Sequence, residues 1–282
     1  MKLINSSYEI LEQGAGLQGI YEQIERVGKT CYKSEVKGGE SAEKFVDKMI
    51  ANQHYAMLEH GTVYLRFPNM PPSGTPEMSI LCGNPYTRWI LTTRDGNGTY
   101  YTLVTTNLRV LVENRLFEWA KAFICEPTED HIKRVTVRFI TDRGVSHELV
   151  RHRVFSFAQE STRYCNYSKD KFGNELTFIK PSWYDEAAEN TKAVFDTLLD
   201  GSENAYFNLL DHQCSPQQAR QVLPNALKTE ICMTGFVDST GWIHFFDLRA
   251  LDKTGPAHPD MKALACPLYA EFCQRGYIDN SN

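Results

Sequence analysis

The chain has 282 residues, 42% of them hydrophobic and 23% charged, with a net charge of −5. That length can bury one large core or two modest ones, and a pI near 5.9 argues against a non-specific nucleic-acid binder, which would be basic. Residues 1–16 lack a signal peptide's apolar run, no stretch approaches the roughly 18 apolar residues of a membrane span, and the eight cysteines are scattered without a CxxC pair, so a cytoplasmic protein with reduced thiols is expected.

Residues 41–53 place Phe45, Met49 and Ile50 at helical spacing behind Ser41, a candidate N-cap. Residues 60–67 alternate Val63, Leu65 and Phe67 as a half-buried strand does. The stretch PNMPPSGTP then reads as a loop. The segment DGNG at 95–98 is a turn signal before a β-branched, aromatic strand at 99–107. Residues 109–123 fit one helix, 133–142 alternate as a strand, and 144–156 read as a helix running into the arginine-rich motif. Helices are expected at 186–211, interrupted by Gly201, and at 259–275. Pro224 and Gly235 bracket a strand-like or irregular piece, and 241–250 form a short helix. Without a regular βαβ beat, repeats or a linker, the pattern favours an α+β fold. It predicts one domain over 1–282 of mixed helices and antiparallel sheet, with an inserted α/β segment at about 68–132.

The segment HELVRH resembles a zincin helix, but His147 and His152 are five residues apart, about 140° around a helix rather than on one face. No metal site is expected. Neither GxGxxG nor GxxxxGK[ST] occurs, so a bound nucleotide would rely on guanidinium groups for its phosphates. Arginines are concentrated in RHRVFSFAQESTRY, residues 151–164, and recur at Arg220 and Arg249. A single arginine of this kind more often covers apolar surface; the run of Arg151, His152, Arg153, Ser161 and Arg163 exceeds that explanation.

An RHR triplet followed after seven residues by Ser resembles the signature of the flavin-dependent thymidylate synthases, the ThyX family. HYAMLEH (54–60), ARQVLP (219–224) and HFFDLR (244–249) are similar to further blocks of that family, in the same order. The resemblance implies conversion of dUMP to dTMP, with methylenetetrahydrofolate as carbon donor and NADPH-reduced FAD as hydride source. It implies FAD contacts at His54, Arg151, His152, Arg153, Gln159 and His244. It implies dUMP contacts at Glu148, Arg151, Gln159, Ser161, Arg163, Arg220 and Arg249. Arg249 takes the catalytic place beside the uracil, favouring ionisation at N3, which makes physical sense because charge developing on the ring needs a fixed cation. Ser161 and Cys165 are tempting nucleophiles, but the family uses none from the enzyme, so Ser161 is assigned to binding and Cys165 to packing.

Homotetramers with sites at subunit interfaces are also implied, and Val154, Phe155 and Phe157 suit either an interface or the monomer core. Three departures stand out: Ala158 replaces a usual Asn, Gln159 an often-found Glu, and residues 234–242 lack the usual Asn-Ala-Arg. A nucleotide-binding homologue that has lost synthase activity is therefore the alternative.

Overall fold

The structure is a computed structural model that describes residues 1–93, 99–169 and 172–279; the turn expected at 95–98 lies outside them. The chain opens with β1 (Lys2–Ile4), β2 (Ser7–Leu11), α1 (Gly16–Thr30) and α2 (Glu40–Ala51), then a 3-10 turn at Tyr55–His60. Next come β3 (Thr62–Pro68), α3 (Pro76–Cys82), β4 (Arg88–Thr93), β5 (Tyr100–Asn107) and two short helices, α4 (Leu108–Glu113) and α5 (Phe117–Ala120). The arginine-rich region spans β6 (Arg134–Asp142), α6 (Arg143–Leu149), β7 (Ser156–Gln159) and β8 (Thr177–Ile179). The last elements are α7 (Glu189–Asp211), α8 (Pro216–Ala219), β9 (Lys228–Phe236), α9 (Trp242–Arg249) and α10 (Pro259–Gln274).

The architecture is α+β. An antiparallel sheet in the order β2-β6-β9-β7 is its centre, and β6 and β9 pair from Arg134↔Phe236 to Asp142↔Lys228. Val135, Val137 and Phe139 alternate onto one face of β6 and meet Trp242, Phe245 and Phe246 of α9 and Leu268 and Phe272 of α10 in the main core. A second antiparallel sheet, β3-β5-β4, shares its core with α1 and α2. A parallel pair, β1-β8, lies near α7 over a third, smaller core.

Several local expectations are corrected. Gly39 caps α2, and Ser41 lies inside the helix, where its hydroxyl donates to Glu25 at 2.6 Å. The proline-rich loop ends in α3, capped by the Thr75 side chain with Pro76 in the first turn, where proline costs no hydrogen bond. The helix expected over 109–123 breaks into α4 and α5, because Arg115 takes a φ of 57°. The 144–156 helix stops at Leu149, and Ser156 begins a strand. Gly201 does not interrupt α7: 23 residues of helix run through it, and the unused backbone freedom of one glycine costs only about 1 kcal/mol.

Candidate active site

The early end of α6 is what shapes the site. Asp142 caps that helix by accepting the Val145 N–H at 2.8 Å. Past Leu149 the chain closes tight turns, with His152 N–H donating to Leu149 O at 3.1 Å and Phe155 N–H to His152 O at 3.1 Å. His152 and Phe155 consequently point inward, while Arg151, Arg153 and Val154 are exposed. Phe155 enters the core: its ring lies 4.9 Å from that of Trp242, and a Cβ on Gly235 would come within 2.3 Å of it. Phe157 packs at the edge of the same core.

From the other side, α9 delivers Arg249 in its last turn. Its Nε donates to His152 Nε2 at 3.1 Å and its Nη1 to Glu148 Oε2 at 2.8 Å. Two segments 97 residues apart are joined at one guanidinium. Burial, reinforced by the charges of Arg249, His244 and Arg151, pushes the His152 pKa down to about 4, so the imidazole is neutral at physiological pH. Beside them lies a cleft of about 580 Å³, lined by Arg151, His152, Arg153, His244 and Arg249 together with Thr240 and residues 254–257. Among the described residues no carboxylate lines it. A cationic wall of this kind suits a polyanionic ligand, and Arg151, Arg153 and His244 are part of it.

Ser161, Arg163 and Arg220 form a second group. Ser161 accepts the Arg163 N–H at 3.3 Å, Arg163 Nε donates to Gln217 at 3.2 Å, and Arg220 Nη1 donates to Thr162 Oγ1 at 3.4 Å. Arg163 and Arg220 are exposed, as an anion site requires. Gln159 belongs to neither group as a lining residue: its amide donates to Ser146 Oγ at 2.9 Å and Thr229 Oγ1 at 3.1 Å, tying β7 to α6 and β9. His54 is exposed ahead of the 3-10 turn. Cys165 is fully buried in the third core.

Sequence reasoning missed the ionic layer under the second group, where Lys228 joins Glu160 and Glu230 at 2.8 Å each. Lys228 and Glu230, two residues apart, lie on one face of a strand with no other charged residue, a period-two signal that was legible. It also missed His60, fully buried and bonded to Thr234 Oγ1 at 2.7 Å. Burial pushes its pKa to about 3. Another cavity, of about 230 Å³, lies between the end of β2, α1 and β6 and holds none of the predicted residues. Among the described residues no group of three or more His, Cys, Asp or Glu is arranged to hold a metal ion, and no helix is long and apolar enough to cross a membrane.

The model of the family described as thymidylate synthase complementing protein matches residues 130–275, more than half of the chain. A flavin-dependent thymidylate synthase of Geobacter sulfurreducens is 36% identical over 123 residues, covering 44% of this chain and 49% of that protein. One of Corynebacterium aurimucosum is 34% identical over 137 residues, covering 44% and 51%. The chain thus spans about half the length of the curated relatives it matches. Among solved structures, the UMP/dUMP methylase PolB from Streptomyces cacaoi, bound with 5-Br dUMP, superimposes with a TM-score of 0.46 at 14% identity, over 97% of this chain and 93% of that one.

Proposed function

This chain belongs to the thymidylate synthase complementing protein family, and from that premise we propose that it is a flavin-dependent thymidylate synthase. The reaction is the reductive methylation of dUMP to dTMP, with methylenetetrahydrofolate as carbon donor and NADPH as reductant. The observation that carries the reading is the meeting of His152 and Glu148 at Arg249, which lines an arginine-rich cleft.

Arg151, Arg153 and His244 would hold FAD, which supplies the hydride chemistry when bound. His54, which belongs to a different part of the fold, would reach a flavin held by a neighbouring subunit. This accords with a homotetramer whose sites lie where subunits meet. Ser161, Arg163 and Arg220 would take the dUMP phosphate and sugar, with two guanidinium forks against a dianion. Gln159 would act from beneath, through the β7 hydrogen bonds that fix the loop.

Arg249 would stand beside the uracil. Uracil C5 is a weak carbon nucleophile, and a fixed guanidinium near N3 stabilises the negative charge the ring must develop. Glu148 holds that guanidinium in place, and neutral His152 accepts its Nε–H without adding a competing positive charge. No enzyme nucleophile is needed. Among the described residues no base is bonded to the Ser161 hydroxyl, which accepts the Arg163 N–H. The 68–132 stretch we read as an insertion into this one domain, and the location as cytosolic.

A visible spectrum of the purified protein, repeated anaerobically with NADPH and with or without dUMP, tests the proposal. Flavin bands that bleach, followed by dTMP formation once methylenetetrahydrofolate is added, are expected. A protein that binds dUMP but cannot be loaded with FAD would instead be a homologue without the activity.

A further inference from the structure

Beneath the Ser161–Arg163 loop runs a line of four alternating charges. Lys33, beyond α1, pairs with Glu230 on β9. Glu230 Oε1 accepts Lys228 Nζ at 2.8 Å, and Lys228 Nζ donates at the same distance to Glu160 Oε2. Glu160 is 2% exposed, and its other oxygen accepts the Tyr167 hydroxyl at 3.0 Å. The charges sum to zero but are shared unevenly. Glu230 has Lys33, Lys228 and, at 3.9 Å, Arg138. Among the described ion pairs Glu160 has Lys228 alone.

Glu160 is the residue before Ser161, so its carboxylate is buried at the root of the loop that presents Ser161, Thr162 and Arg163, with Arg220 bonded to Thr162. A negative charge in that place opposes any anion the loop is to bind, and low surrounding polarity strengthens the opposition. The backbone anchors the loop at the same place: Glu160 N–H donates to Glu230 O at 2.8 Å and Ser161 N–H to Cys31 O at 3.0 Å.

We propose that Lys228 is a positioning residue for the anion site: it cancels the Glu160 carboxylate under the Ser161–Arg163 loop and pins the loop to β9, so that the phosphate of a nucleoside monophosphate meets only positive charge. The inference rests on reading that loop with Arg220 as the dUMP phosphate site. It adds a residue outside the arginine motif, one the site needs only while Glu160 carries its charge.

The test measures dUMP binding by calorimetry on FAD-loaded wild type, Lys228→Met, Glu160→Gln and the double variant, with KM and kcat beside it. Lys228→Met should weaken dUMP by roughly ten- to a hundredfold, the larger part of the loss falling on KM. The double variant should return to within about threefold of wild type, because the charge Lys228 balanced is gone. Glu160→Gln alone, in which Lys228 keeps Glu230, should bind dUMP as well as wild type or several-fold tighter. A double variant as weak as Lys228→Met, or a weakened Glu160→Gln, overturns the proposal even if Lys228→Met fails to fold. Wild type that binds no dUMP overturns the phosphate-site reading and the inference with it.

Discussion

Arg249 Nε donates to His152 Nε2 at 3.1 Å, and a guanidinium can only donate, so the imidazole must accept there and keep its single proton on Nδ1. Protonating His152 would break that bond and set two like charges together. The pair therefore links site geometry to pH.

In the folded chain His152 titrates at about 4 and His60 at about 3, both below the ordinary 6.5. As pH falls the unfolded chain takes up these protons first, so the stabilisation held above pH 6.5 is lost between 6.5 and about 3. Melting temperatures should be level above neutrality and drop across that window. His60→Gln should flatten the drop, since full burial makes His60 the larger contributor, at roughly 2–4 kcal/mol. A variant with an unchanged acid slope would assign the loss to other groups.

Arg249→Ala should cut dTMP formation by roughly a hundred- to a thousandfold, mostly in kcat, with FAD still bound. Glu148→Gln keeps a hydrogen-bond acceptor for the guanidinium and should cost less than about tenfold. If Arg249→Ala turned over at the wild-type rate, the charge-stabilising role would be excluded.

Ser161→Ala separates binding from nucleophilic catalysis. As a binding group, its loss should raise the KM for dUMP by about tenfold or less, the value of one or two hydrogen bonds. As a nucleophile, its loss would cost on the order of a millionfold in kcat. Steady-state kinetics with dUMP varied decides between them.

Gly235→Ala should destabilise the fold by about 1–3 kcal/mol and lower activity with it. The added methyl would have to displace the Phe155 ring, which it would approach within 2.3 Å. Phe155 seats the turn that aims His152 at Arg249, so thermal melts and turnover should fall together. A stable, fully active variant would show that the turn does not need this packing.

The residue types at the site, and their order along the chain, were legible in the sequence alone. The RHR triplet with Ser161 seven residues beyond it, the ARQVLP block and the final Leu-Arg are local strings, and the chemistry of an arginine does not depend on where it lies. The long strands at 62–68, 100–107 and 134–142 were legible too, because alternation and β-branching are local properties, whereas 228–236 read only as strand-like or irregular. What tertiary structure decided is which side chain meets which. Apolar periodicity ran a helix through 144–156, yet the core claimed Phe155 against Gly235 and Trp242, and the chain had to leave the helix after Leu149 to put it there. That detour separates exposed Arg151 and Arg153 from buried His152. The pairing of Arg249 with His152, and the neutralisation of Glu160 by Lys228 across 68 residues, are long-range electrostatic contacts. Such contacts exist only once strand register has brought the partners together, and no local pattern encodes them.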